Sequence, residues 1–209
     1  MSEETNDISI KAILLGEAGV GKTNLIRRVM GLDFDKKSES NFGGSYSEND
    51  IVVNGVKYSY KLWDTAGQEQ FRSLNKLFIK DSKIIIIVFA INDYKSFTQI
   101  DFWLNYVKEI LGNSGYILGL VGNKSDLYDS QEIEDKTINE KVKELGIKYK
   151  LTSAAMNSEF KIFLNELLTD YIKKYLSKGF IRDNSFIIDN RRHNQKKKGF
   201  LQSIKNCFK

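Results

Sequence analysis

Gly16-Glu17-Ala18-Gly19-Val20-Gly21-Lys22-Thr23 fits the pattern G-x-x-x-x-G-K-[ST], between a strand-like apolar run from Ile8 to Leu15 and a helix-like stretch reaching Met30. Residues of these types in this order hold phosphates. Glycines let the backbone curl until successive N–H groups face one anion, and the following helix N-terminus adds the positive end of its dipole. Lys22 then reaches the β- and γ-phosphates, and the Thr23 hydroxyl suits Mg²⁺, a small cation that demands oxygen ligands. Asn24 completes this run of nucleotide-contacting candidates. The ligand class is a nucleoside triphosphate with Mg²⁺.

A second cluster, Asp64-Thr65-Ala66-Gly67-Gln68-Glu69, follows the alternating run from Val56 to Trp63. A carboxylate at a strand end suits the outer shell of a magnesium ion, so Asp64 is expected to act through water. Gly67 offers a bare backbone N–H to a γ-phosphate. Gln68, with one donor and one acceptor group, can orient an attacking water without being a strong base. Gln68 and Lys22 are the catalytic candidates.

Asn123-Lys124-Ser125-Asp126 ends a third apolar run, Tyr116 to Val121, where the carboxyl edge of a sheet would place polar groups beside a ligand. Guanine presents N1–H and an exocyclic amine, two donors that one carboxylate accepts together, whereas adenine has no such pair. Asp126 therefore selects GTP and GDP over adenine nucleotides. Lys124 can lie over the purine face. Ser153-Ala154-Ala155 can close the pocket by offering backbone N–H to guanine O6.

From Ile8 to Leu176 the chain resembles a Ras-superfamily small GTPase, and most of all a Rab. Lys22 to Asp64 lies against the Rab pattern without a gap, and W-D-T-A-G-Q-E stands at Trp63 to Glu69. The resemblance implies an α/β fold: a single P-loop GTPase domain with a mostly parallel six-stranded sheet and helices on both faces. It implies an aromatic effector surface at Tyr46, Trp63 and Phe78, an aromatic beside the base at Phe34, and effector, exchange and activating proteins as partners.

The departures bear on mechanism. Where the family places a switch threonine that joins Mg²⁺, this chain has Asn41, flanked by Ser40 and Gly43-Gly44. An amide oxygen is a legitimate magnesium ligand, but the longer side chain must fold back; Ser40 offers a second route after a one-residue shift. Ser38 stands where many relatives carry a tyrosine over the triphosphate. A looser switch is expected. Ala18 lies at a variable phosphate-loop position, and Ala155 replaces a common lysine.

These motifs need a scaffold of strands alternating with helices, which implies a mostly parallel sheet covered on both faces. The patterns place strands at Ile8 to Leu15, Ile51 to Val53, Val56 to Trp63, Ile84 to Ile91 and Tyr116 to Val121, with Asn54-Gly55 as a hairpin turn. Phe160, Phe163, Leu164, Leu167, Leu168, Tyr171, Ile172, Tyr175 and Leu176 form the stripe of one amphipathic closing helix. At 209 residues and 41% hydrophobic content, one domain over 8–177 is expected, after a short polar leader over 1–7.

The formal charge of +5 is unevenly placed: residues 178–209 hold nine Lys or Arg against Asp183 and Asp189, which leaves residues 1–177 at −2. An acidic body argues against a nucleic-acid groove. The basic stretch 178–209 reads as a disordered membrane-targeting tail, its densest cluster Arg191, Arg192 and Lys196 to Lys198 facing anionic lipid. Cys207, the one cysteine, is a candidate for prenylation or palmitoylation, although no C-a-a-X pattern surrounds it. No signal peptide is expected from the polar stretch that begins Met1-Ser2-Glu3-Glu4, and the longest apolar run, Ile84 to Ile91, is too short to span a bilayer. The expected setting is the cytosol and the cytoplasmic face of intracellular membranes, and the expected state is a monomer. Two functions compete: a GTP-hydrolysing switch that is slow without an activating protein, and a hydrolysis-poor guanine-nucleotide-binding adaptor with an unresponsive switch.

Overall fold

The computed structural model of the protein describes residues 5–36, 46–65, 72–156 and 159–176, with side chains described from residue 9 in the first stretch and residue 76 in the third. The described elements run β1 (Thr5–Leu15), α1 (Lys22–Val29), β2 (Tyr46–Val53), β3 (Val56–Trp63), α2 (Arg72–Ile79), β4 (Ile84–Ala90), α3 (Tyr94–Thr98), α4 (Ile100–Leu111), β5 (Ile117–Asn123), α5 (Asp135–Leu145), β6 (Lys148–Leu151) and α6 (Phe160–Tyr171). A 3₁₀ turn, Ser125–Ser130, follows β5. The six described strands form one sheet in the order β2-β3-β1-β4-β5-β6. The β2–β3 pair is antiparallel and the other pairings are parallel.

The fold follows from where the apolar residues fall. All seven residues of β4, Ile84–Ala90, are buried, the mark of a central strand covered on both faces. Alternation divides them. Ile85, Ile87 and Phe89 join Ile13, Leu15, Trp103, Leu104 and Val107 in the core between the sheet and α4. On the other face α6 buries Phe160, Phe163, Leu164, Leu167 and Leu168, each burial stabilising by about 1.5–3 kcal/mol before side-chain entropy is subtracted. Gly119 of β5 allows that helix close approach: a Cβ there would lie 2.7 Å from Leu167 Cδ1 and 3.1 Å from the Phe163 ring.

Some elements differ from their sequence patterns. The strand expected at Ile51 to Val53 begins at Tyr46, because cross-strand pairing carries the polar residues Ser47 to Asp50 along β3 from Leu62 to Ser59. Asn54 and Gly55 both have positive φ, +53° and +79°, as a two-residue hairpin turn requires. β6 lacks a long apolar run and is held by its parallel pairing to Gly119–Gly122 of β5. The closing helix is α-helical only to Tyr171; Ile172–Leu176 winds as a π-helix. The chain divides there into two units, Met1–Tyr171 and Ile172–Lys209. No described helix is long and apolar enough to cross a membrane.

Candidate functional site

Parallel strands deliver their carboxyl ends to one edge of the sheet, where ligands of open α/β folds bind. At that edge β1 leads into Gly16–Gly21, β3 into Asp64 and Thr65, β5 into Lys124–Asp126, and β6 into Ser153–Ala155. They surround a cavity of about 490 Å³ lined by Gly19, Gly21, Lys22, Thr23, Asn24, Phe34, Lys36, Thr65, Asn123, Lys124, Asp126, Leu127, Ala154 and Ala155. Segments spread from Gly19 to Ala155 in the sequence thus meet in one space.

The loop after β1 curls because two glycines permit it. Gly16 has φ +144°, and a Cβ there would collide with the Val88 carbonyl; Gly21 has φ +96°, and a Cβ there would collide with the Asn123 amide. Lys22 is 5% exposed and donates from Nζ to the carbonyls of Gly16 at 2.9 Å and Glu17 at 2.8 Å. An ammonium has three donors, so one N–H remains for an anion in the cavity. Burial pushes the Lys22 pKa down to about 8, partly opposed by the nearby charges of Asp64 and Glu17. A ligand phosphate would act in the same direction as those carboxylates and favour the charged form.

Asp64 is 4% exposed at the end of β3, close enough to Lys22 to act on its charge. Its neighbour Thr65 donates its hydroxyl to the Leu14 carbonyl at 2.6 Å, which fixes the exit of β3 against β1. Thr23 lines the cavity from the first turn of α1. The donor set of a threonine hydroxyl and a carboxylate beside a phosphate cradle fits Mg²⁺. Ser38, Ser40, Asn41, Gly67, Gln68 and Cys207 lie outside the described residues, as does the basic stretch 178–209.

At the other end of the cavity the geometry redistributes the expected roles. Asn123 is 1% exposed; its amide donates to the Val20 carbonyl at 2.7 Å and accepts from the Ala154 N–H at 3.1 Å. It braces the glycine loop to the β6 loop. The Ala154 N–H, one of the expected donors to guanine O6, is thereby engaged by Asn123. Asp126 accepts a hydrogen bond from the Ser153 hydroxyl, which in turn accepts the Met156 N–H at 3.0 Å, so the carboxylate is aimed by a side chain that sequence reasoning valued only for its backbone. Lys124 adopts the left-handed conformation at φ +66°, a sharp turn that ends β5 and starts the Ser125–Ser130 segment. Phe34, 39% exposed, lines the cavity, and Asn24 holds the chain beside it by exchanging hydrogen bonds with the Asp35 backbone at 3.0 and 2.9 Å.

Residues 11–173 match the Ras family profile. A relative, the Ras-related protein Rab-21 of Geodia cydonium, is 34% identical over 169 residues, covering 81% of this chain and 72% of that protein. The chain belongs to the Ras family. It is a small GTPase that resembles Rab, with the guanine-nucleotide binding and GTP hydrolysis general to that family. On this Ras-family protein the three expected effector-surface aromatics form one row: Tyr46 and Trp63 have ring centroids 4.8 Å apart, and Trp63 and Phe78 5.6 Å apart. The β2–β3 register explains the first contact, since Tyr46 pairs directly with Trp63. Lys61 lies 5.2 Å over the Tyr46 ring and Lys11 5.0 Å over that of Trp63, so the row has a cationic border.

Sequence reasoning missed Lys36, Thr65 and Leu127 as cavity residues. Thr65 stood inside a recognised motif, so its position carried the signal. Lys36 and Leu127 follow no pattern.

Proposed function

We propose that this Ras-family protein is a Rab-like, Mg²⁺-dependent GTP switch that recruits effectors in vesicle trafficking. The carrying observation is that buried Lys22 and the Asp126–Ser153 pair address one cavity of about 490 Å³, a space suited to a nucleotide held at both ends. In this reading the glycine-loop N–H groups and Lys22 bind the phosphates, while Asp126 accepts from the guanine edge and Phe34 meets the ring. Bound Mg²⁺ would neutralise charge on the β- and γ-phosphate oxygens, held by Thr23 directly, Asp64 through water and Asn41 in place of the family threonine. Gln68 orients the attacking water and Gly67 meets the γ-phosphate. No arginine is placed by sequence to act in cis, so turnover is slow until an activating protein supplies one, a gain of about 10³ to 10⁵.

Tyr46, Trp63 and Phe78 form the effector surface, and exchange and activating proteins act on the switches. Membrane attachment at the cytoplasmic face rests on the basic stretch 178–209 with a lipid on Cys207, since one chain holds only marginally without a second signal. The Rab-21 likeness and the tail charge support this assignment; the protein works as a monomer and does not use nucleic acid. Single-turnover GTP hydrolysis compared with Gln68→Leu tests the switch. A slow rate abolished by the substitution supports it, whereas equal, negligible rates in both proteins make the chain a guanine-nucleotide-binding adaptor, the outcome that Asn41 and Ser38 would explain.

A further inference from the structure

Arg28 lies in the last turn of α1, outside every motif, and reaches the loop after β6, whose Ala154 and Ala155 line the cavity. Its Nε donates to the Ala154 carbonyl at 2.9 Å and a terminal nitrogen to the Ala155 carbonyl at 3.1 Å. The other terminal nitrogen stands 3.5 Å from the carboxylate of Asp33, the residue before Phe34. These contacts differ in weight. The Asp33 side chain is fully exposed and its pairing is screened by water, whereas the Arg28 side chain is 25% exposed and makes charge-assisted hydrogen bonds to two consecutive carbonyls. The chain at Asp33 is held separately, its carbonyl accepting from Arg27 Nε at 3.1 Å.

We infer that Arg28 is a positioning residue for the guanine ring, fixing the Ala154–Ala155 wall and so setting the rate of nucleotide release. The inference rests on the GTP-switch reading above. In a trans peptide the N–H points opposite to the C=O, so drawing the Ala154 carbonyl to Arg28 turns the Ala155 N–H to the far side of the same peptide plane. Ala155 lines the cavity beside Ala154, whose N–H also meets the Asn123 amide, so holding this peptide plane sets the Ala155 N–H as a donor for guanine O6. A planar guanidinium can serve two neighbouring carbonyls at once; an ammonium on a flexible stem reaches them as a point donor without fixing the plane.

The test loads the full-length protein with ribose-labelled fluorescent GDP and follows release after excess GDP is added, for the parent protein, Arg28→Ala, Arg28→Lys and Asp33→Asn. Loss of charge-assisted bonds to a loop carbonyl should speed release from Arg28→Ala by about 10- to 100-fold, with Arg28→Lys between the two and Asp33→Asn within about threefold of the parent. Competition with 6-thioguanosine diphosphate, which keeps the N1–H and 2-amino donors for Asp126 and replaces O6 by a weaker sulfur acceptor, separates positioning from general loosening. The preference of the parent for GDP over this analogue should shrink in Arg28→Ala and Arg28→Lys, while single-turnover hydrolysis of bound GTP keeps its parent rate. Release within threefold of the parent, or an equal loss for both nucleotides, would overturn the inference while leaving the switch reading intact. Absence of saturable GDP binding by the parent protein would overturn both. Should Arg28→Ala not fold, the Arg28→Lys release rate and selectivity decide alone.

Discussion

Asn123→Ala separates a brace from a base reader. The side chain is 1% exposed, and its removal leaves the Val20 carbonyl and the Ala154 N–H without the partners they have at 2.7 and 3.1 Å. Water cannot readily replace either bond at that depth. Each orphaned buried group costs about 1–3 kcal/mol, so the nucleotide-free fold should lose about 2–6 kcal/mol, a large share of the roughly 5–15 kcal/mol that a domain has. Asn123→Asp should not rescue it, because a carboxylate keeps the acceptor for Ala154 but sets a second acceptor against the Val20 carbonyl. Urea unfolding of nucleotide-free protein measures the loss directly, and GDP titration measures the accompanying fall in affinity. A residue that only touched the purine would weaken GDP binding and leave nucleotide-free stability unmoved. A loss below about 1 kcal/mol in the nucleotide-free protein, at unchanged m-value, would therefore refute the brace.

The remaining predictions concern base selection, aim, packing and alkaline stability. Asp126→Asn replaces two acceptors by one acceptor and one donor and should shift preference from guanine toward xanthine nucleotides; unchanged GTP affinity in a competition assay would remove Asp126 from base recognition. Ser153→Ala frees the Asp126 carboxylate and the Met156 N–H, and should weaken GDP about tenfold, the equivalent of one hydrogen bond to a charged group, as read by equilibrium titration. Gly119→Ala places a methyl 2.7 Å from Leu167 Cδ1 and should cost about 1–3 kcal/mol in chemical unfolding without altering base selectivity. Burial raises the Tyr149 pKa above the usual tyrosine value of 10.0. Above about pH 10 the unfolded chain releases this proton while the fold retains it, so stability falls with rising pH, by up to about 1.4 kcal/mol per unit from this group. The difference between the parent protein and Tyr149→Phe in urea unfolding across that range isolates the slope.

Sequence alone determined the elements whose physics is local. A glycine loop before a lysine and a threonine, a carboxylate at a strand end, and an Asn-Gly hairpin turn are each legible because the backbone conformation and the ligand-binding group come from neighbouring residues. The apolar run from Ile84 to Ile91 likewise reads as a strand, and its place inside the sheet, with all seven residues of β4 buried, came from the structure. Tertiary structure decided the rest. Whether Asn123 contacts a base or holds two loops together, how Ser153 aims Asp126, and why Arg28 bears on a wall 126 positions away depend on distances that exist only once the carboxyl edge of the sheet has assembled. The same holds for the polar half of β2 and for β6, whose backbone groups are paired by neighbouring strands. Local propensity acts over a few residues, whereas a hydrogen bond between distant segments leaves no periodicity in the chain that makes it.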